Sequence, residues 1–173
     1  MVENNWLGSK SGQGFYKKIK DENGKKTILA LDLNTLEYKK PDKVKFPTLE
    51  MAKPIEDLRQ RTKMLVMGMD KAGEFYRRIF GGLLAYVSNR IPEISDEFYK
   101  IDDALKAGFG WELGPFESWD LFGYDQGVKF IKDANKVMGN AIEEMRAAGM
   151  TSFYKLENGQ KMFFDMASKS YKV

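Results

Sequence analysis

One short pattern occurs twice in this chain. Near the start, Phe15-Tyr16-Lys17 is followed by Glu22-Asn23-Gly24, then Ile28 to Asp32, then Tyr38-Lys39. Near the end, Phe153-Tyr154-Lys155 is followed by Glu157-Asn158-Gly159, then Lys161 to Asp165, then Tyr171-Lys172. The Asp-to-Tyr spacing, Asp32 to Tyr38 and Asp165 to Tyr171, is the same in both copies. A match of this length is not expected by chance, and self-similarity of this kind marks a duplicated supersecondary unit. Asn-Gly between strand-like runs is a strong hairpin signal. Residues 15–20 and 26–31 therefore read as paired strands. A second turn at Asp32-Leu33-Asn34 leads to Thr35-Leu36-Glu37-Tyr38, and residues 153–172 read as the same meander. The chain divides on this basis into residues 1–45, the tail of one repeat with its meander and a polar linker (Lys39 to Pro47), and residues 46–173, a second repeat with its own meander.

The stretch between the meanders has helical periodicity. Thr48 suits a helix cap, Pro54 suits a first helical turn, and Ile55, Leu58, Leu65 and Val66 follow at helical spacing up to Gly68. Asp70 is placed to cap the next helix, predicted over 71–91. Ala72, Tyr76, Ile79, Phe80, Leu83, Val87 and Ile91 fall on one stripe of it, with Phe75 and Leu84 at the edges. Two interior glycines, Gly81-Gly82, cost about 1 kcal/mol each relative to alanine, so a neighbouring helix is expected to pack closely there, at Gly82 in particular. Pro92 ends or kinks this helix. Shorter helices are predicted near 100–107, over 115–122, and once or twice within 124–148. Gly114-Pro115 starts the second of these well, with Glu117 in its positive first turn. The fold class is mainly α with two small antiparallel β-meanders.

Composition removes several chemistries. The chain has 173 residues, no cysteine and no histidine. Thiolate chemistry and disulfides are excluded, and the usual general base near neutral pH is absent. The net charge of +3 does not by itself call for a nucleic-acid partner. The longest apolar-plus-glycine run, Ile79 to Val87, is too short to span a bilayer, and no signal peptide opens the chain. A soluble, cytoplasmic protein is expected.

Each candidate motif has a structural competitor. The glycines of Gly8-Ser9-Lys10-Ser11-Gly12-Gln13-Gly14 fit neither established phosphate-loop spacing, so a structural loop is the better reading. Glu112, Glu117 and Asp120 form a carboxylate cluster suited to acid–base work, but Glu117 also suits a helix N-terminus. Asp102-Asp103 suits a metal, or the capping of a helix starting there. Tyr16, Lys17, Lys18, Lys20, Lys25 and Lys26 would suit single-stranded nucleic acid, but Asp21, Glu22, Asp32 and Glu37 interrupt them. The aliphatic stripe of helix 71–91 is core, or a subunit or repeat interface.

Two segments carry a family resemblance. Trp6-Leu7-Gly8-x-Lys10-x-Gly12-x-Gly14-Phe15-Tyr16 resembles the segment that closes the first C-terminal repeat of 3-hydroxyacyl-CoA dehydrogenases. Ile101-Asp102-x-Ala104-x-x-x-Gly108-Phe109-Gly110-x-x-x-Gly114-Pro115-Phe116-Glu117-x-x-Asp120-x-x-Gly123 resembles the signature inside each such repeat. Trp111-Glu112-Leu113 and Ser118-Trp119 are most similar to the large enzymes fused to an enoyl-CoA hydratase module. The resemblance implies a parent enzyme whose Rossmann domain binds NAD and carries a catalytic His–Glu pair. Its helical part closes over the acyl-CoA and forms a dimer, or a pseudo-dimer between tandem repeats. The implied partners of this chain are that Rossmann domain and a first helical repeat of the same protein, with acyl-CoA as substrate and neither nucleic acid nor a membrane span. Asn89-Arg90 resembles the family's Asn-Arg pair but stands too near Ile101-Asp102, so no catalytic role passes to Asn89. No catalytic, cofactor-binding or metal residue is assigned in this chain, and NAD belongs to the parent enzyme. The implied function is a substrate-shaping and dimerisation domain of a β-oxidation dehydrogenase, inactive alone. The alternatives are a free-standing module binding an acyl-CoA or a protein, and a nucleic-acid binder using the basic meander.

Overall fold

The computed structural model describes residues 1–20 and 24–173. Asp21, Glu22 and Asn23, on which part of the first hairpin turn was read, lie outside the described residues. The chain forms two compact units, Met1–Lys45 and Phe46–Val173.

The first unit is an antiparallel sheet of β1 (Tyr16–Lys20), β2 (Lys26–Leu31) and β3 (Tyr38–Lys39), in that order. The second unit begins with α1 (Pro47–Ala52), α2 (Leu58–Met67), α3 (Lys71–Ser88) and α4 (Phe98–Phe109). It continues with α5 (Pro115–Phe122), α6 (Tyr124–Asp133) and α7 (Asn140–Ala147). It closes with a second sheet of β4 (Tyr154–Glu157), β5 (Gln160–Asp165) and β6 (Ser170–Lys172). The two sheets match register for register. Tyr16 pairs with Ala30 and Leu31 with Tyr38, as Tyr154 pairs with Phe163 and Phe164 with Tyr171. The repeated side chains do the same work in both copies. Lys39 pairs with Asp32 as Lys172 pairs with Asp165. The Tyr38 hydroxyl donates to Gly14 O at 2.6 Å, as the Tyr171 hydroxyl donates to Ser152 O at 2.6 Å.

Several expectations for the helices need correction. Pro54 lies in the turn between α1 and α2, because the Asp57 carboxylate takes the Gln60 N–H at 2.7 Å and starts α2 later. Pro47, read as the end of the linker, is the first residue of α1, and Thr48 sits inside that helix. Asp70 holds two helix starts at once, accepting the Thr48 N–H at 3.0 Å and the Gly73 N–H at 3.1 Å. The helix expected over 71–91 ends at Ser88, where the Ala85 carbonyl accepts the Ser88 hydroxyl at 2.9 Å and Asn89 Nδ2 at 2.8 Å.

The buried face of α3 also differs from the expected stripe. Ala72 and Val87 of that stripe are buried, and so are Gly81, Ala85, Ser88 and the edge residue Leu84, whereas Ile79 is exposed and Tyr76, Phe80 and Leu83 are half-buried. Small residues decide this, since they let neighbouring backbone come close. A Cβ on Gly81 would stand 2.2 Å from Phe130 O on α6, and one on Gly139 would stand 2.1 Å from Ser88 O. Gly82, where close contact was expected, has open space around it.

The core of the second unit centres on an aromatic cluster. Phe98, Phe116, Trp119 and Phe153 are fully buried. The Phe153 ring lies 4.9, 4.8 and 5.2 Å from those of Phe98, Phe116 and Trp119 respectively. Truncating any one of these to alanine removes roughly 3–5 kcal/mol by the general behaviour of buried aromatics.

Candidate functional site

The signature segment folds into a cradle of buried carboxylates. Asp102 lies within α4 and points away from solvent, so it does not start its own helix as expected. It caps α5 instead, through the Phe116 N–H at 2.8 Å and the Glu117 N–H at 3.0 Å. These are two of the unpaired donors at a helix N-terminus, and a negative charge is favoured there. Gly114 is required at this point, because a Cβ would meet Asp102 Cβ at 2.4 Å. Glu117 bends back to take the Gly114 N–H at 2.8 Å, and Lys161 and Lys106 neutralise it.

Asp120, on the same helix, accepts the N–H groups of Phe153 and Tyr154 at 2.8 Å each. The Tyr154 hydroxyl in turn donates to Asp102 at 2.8 Å, and Lys161 lies over the Tyr154 ring. Both aspartates thus grip the start of β4. Burial raises Asp102 to about 6, against the pull of its three hydrogen bonds. Burial likewise raises Asp120 to about 6. Burial would also raise Glu117, but the Gly114 N–H and the two lysines outweigh it and hold Glu117 below the usual glutamate range. Burial, and then the neighbouring Asp102, push the Tyr154 phenol far above its usual value.

Every polar atom described in the cradle bonds to another part of the chain, which makes it a joint between α4, α5 and the second meander. Glu112 is exposed, whereas Glu117 is buried and Asp120 half-buried, so the three carboxylates do not share one environment. Asp102 and Asp103 diverge, one buried and the other paired with Lys106 at 3.1 Å. Among the described residues no group of three or more metal-ligating side chains converges. Sequence reasoning missed Tyr154 and Lys161 as members of this site. The signal for Tyr154 was its place in the repeated Phe-Tyr-Lys.

The Gly8–Gly14 loop closes on itself, with Ser11 Oγ accepting the Leu7 N–H at 2.8 Å, and it feeds a strand. The dinucleotide fold holds its cofactor with a parallel strand, a glycine turn and a helix N-terminus. Both sheets here are antiparallel meanders, so that unit does not form among the described residues. The lysines of the first meander are split between its faces, with Lys18, Lys20 and Lys26 on one side and Lys17 over the Tyr38 ring on the other. Asn89 Nδ2 also donates to Val137 O at 2.9 Å, tying α3 to the segment before α7. Beside it, Tyr86, Val87, Arg90, Lys100, Ile101 and Leu105 line a cleft of about 570 Å³. An apolar groove of about 360 Å³ runs between Leu58, Ile79, Leu83, Trp111 and Leu113.

Residues 73–162, just over half of the chain and including the whole cradle up to Lys161, match the family model described as 3-hydroxyacyl-CoA dehydrogenase, C-terminal domain. The chain belongs to that family. It is 41% identical over 165 residues to a Bacillus subtilis (strain 168) protein named a probable 3-hydroxyacyl-CoA dehydrogenase, covering 95% of this chain and 20% of the relative. It is 27% identical over 135 residues to a Rickettsia felis protein whose name describes a fatty acid oxidation complex trifunctional enzyme, covering 78% of this chain and 17% of the relative. A Rickettsia prowazekii protein of the same description is 27% identical over 117 residues, covering 68% of this chain and 15% of that protein. The chain therefore spans a fifth or less of the length of these relatives. No solved structure matches it. In this 3-hydroxyacyl-CoA dehydrogenase C-terminal domain the matched residues include Asp102, Glu117 and Asp120. No helix among the described residues is long and apolar enough to cross a membrane.

Proposed function

We propose that this chain is the helical, substrate-shaping and self-associating C-terminal part of an NAD-dependent 3-hydroxyacyl-CoA dehydrogenase of fatty-acid β-oxidation, working in the cytoplasm. Residues 1–45 are the tail of a first helical repeat and residues 46–173 are a second repeat. The observation that carries this reading is the register identity of the two meanders, only one of which follows a helical body in this chain. The relatives' greater length and their names support it.

The parent reaction oxidises the 3-hydroxyl of an acyl-CoA by passing hydride to NAD. The described residues form no dinucleotide fold, the sequence has no histidine, and Asp102 and Asp120 are committed to backbone N–H groups. Its contribution is shape. The cradle holds α4, α5 and the meander as one body. The outward side of α3, with Phe75, Ile79, Gly82 and Tyr86 exposed or open, offers a surface for another repeat.

The test is to incubate the purified chain with 3-oxoacyl-CoA and NADH, follow NADH absorbance, and titrate NAD calorimetrically in parallel. The chain alone is expected to show neither turnover nor saturable NAD binding. Either signal above the buffer control overturns the reading.

A further inference from the structure

In the second unit Phe153 and Tyr154 are the residues that plug the meander into its helical body. Phe153 is 0% exposed within three aromatic rings. The N–H groups of both residues bond to Asp120, and the Tyr154 hydroxyl bonds to Asp102. The first meander carries the same two residues at the same register, as Phe15 and Tyr16. The bond from Leu31 N–H to Phe15 O at 2.9 Å reproduces the one from Phe164 N–H to Phe153 O at 2.8 Å. Yet Phe15 is 59% exposed and Tyr16 is 66% exposed. Among the described residues no carboxylate accepts the Phe15 or Tyr16 N–H, and no acceptor is placed on the Tyr16 hydroxyl. Among the described residues the one cradle of this kind is already filled by Phe153 and Tyr154.

We infer that Phe15 and Tyr16 form a docking plug for a second cradle, built on a helical segment outside this chain, that offers an aromatic pocket for Phe15 and two buried carboxylates for Tyr16 and the adjoining N–H groups. The inference rests on the proposed first repeat and names the chemistry by which that repeat must hold this sheet. Intramolecular duplication supplies the argument. Two segments with one register and the same internal bonds differ in whether their plug is seated, Phe153 being 0% exposed and Phe15 59%. One difference sharpens the description of the partner. Where the second meander places Lys161 against Glu117, the first has Ile28 at the equivalent register. The partner cradle therefore receives no cation from this sheet at its glutamate position.

The experiment compares two proteins: the 173-residue chain and the full-length protein of the uninterrupted reading frame that contains it. In the full-length protein the Phe15 and Tyr16 amides are expected to exchange with deuterium roughly tenfold or more slowly than in the chain alone. Phe15→Ala and Tyr16→Phe are expected to lower the thermal midpoint of the full-length protein by several degrees and to leave that of the chain unchanged. Amide exchange needs no variant, so a misfolded Phe15→Ala protein does not block the test. A reading frame with no helical repeat upstream overturns the repeat reading and this inference with it. An upstream repeat with equal exchange in both proteins and neutral substitutions overturns this inference alone.

Discussion

The Tyr154 hydroxyl donates to the Asp102 carboxylate at 2.8 Å, joining residues 52 positions apart in the chain. The same carboxylate caps α5, so one buried group closes a helix and seats a sheet. Removing the hydroxyl in Tyr154→Phe is expected to destabilise by about 1–2 kcal/mol, the usual cost of leaving a charged acceptor one donor short. Asp102→Asn replaces an acceptor-only group with one that also donates towards the Glu117 N–H, and is expected to cost roughly 2–4 kcal/mol. The double variant should fall short of the sum by about 1 kcal/mol, because both changes break the same contact. Urea unfolding of the four proteins measures this, and strict additivity would mean that the pair does not interact.

The two glycines of α3 should respond with opposite sign. Gly81→Ala puts a methyl 2.2 Å from Phe130 O, and is expected to cost roughly 1–3 kcal/mol as α6 is forced outwards. Gly82→Ala meets nothing within 4 Å, and is expected to stabilise by up to about 1 kcal/mol through helix propensity. Thermal unfolding reads both. Equal effects would show that α6 does not cross α3 at Gly81.

Trp119 reports on the α5–α6 contact. Its indole N–H donates to Tyr124 O at 3.1 Å, and a Cβ on Gly127 would stand 2.0 Å from that nitrogen. Gly127→Ala is expected to displace the ring and move part of the tryptophan emission to longer wavelength. An unchanged spectrum together with an unchanged unfolding midpoint would contradict the packing described.

The pH profile has two limbs of opposite sign. Asp102 and Asp120 are raised from 3.8 to about 6, so the folded chain binds these protons more tightly than the unfolded chain. Their contribution is greatest below about 4 and declines as the pH rises through about 6. Asp70 and Asp165 are lowered to about 2, by their backbone and side-chain hydrogen bonds and, for Asp165, first by Lys172. Their contribution is complete above about 4 and is lost as the pH falls towards 2. Maximum stability is therefore expected near pH 4, with a decline up to about pH 6, and Asp120→Asn should flatten that upper limb. Denaturant midpoints across pH 3 to 8 test this, and a maximum above pH 7 would contradict it.

The sequence by itself determined what depends on near neighbours. Both meanders, the start of α5 at Gly114-Pro115 and the capping role of Asp70 were legible, because turn chemistry and helix caps act over a few residues. The resemblance to the family was legible as a string that includes Asp102, Glu117 and Asp120. Tertiary structure alone decided which side of α3 is buried. The periodicity marked a bulky stripe through Ile79 and Leu83, but the helix buries Gly81, Ala85 and Ser88, because contact distance depends on what crosses it, and Phe130 and Gly139 lie far along the chain. The same holds for Asp102, which looked like a cap for its own helix. Its acceptor oxygens are satisfied by Phe116, Glu117 and Tyr154, and a buried carboxylate takes whichever donors the fold brings to it.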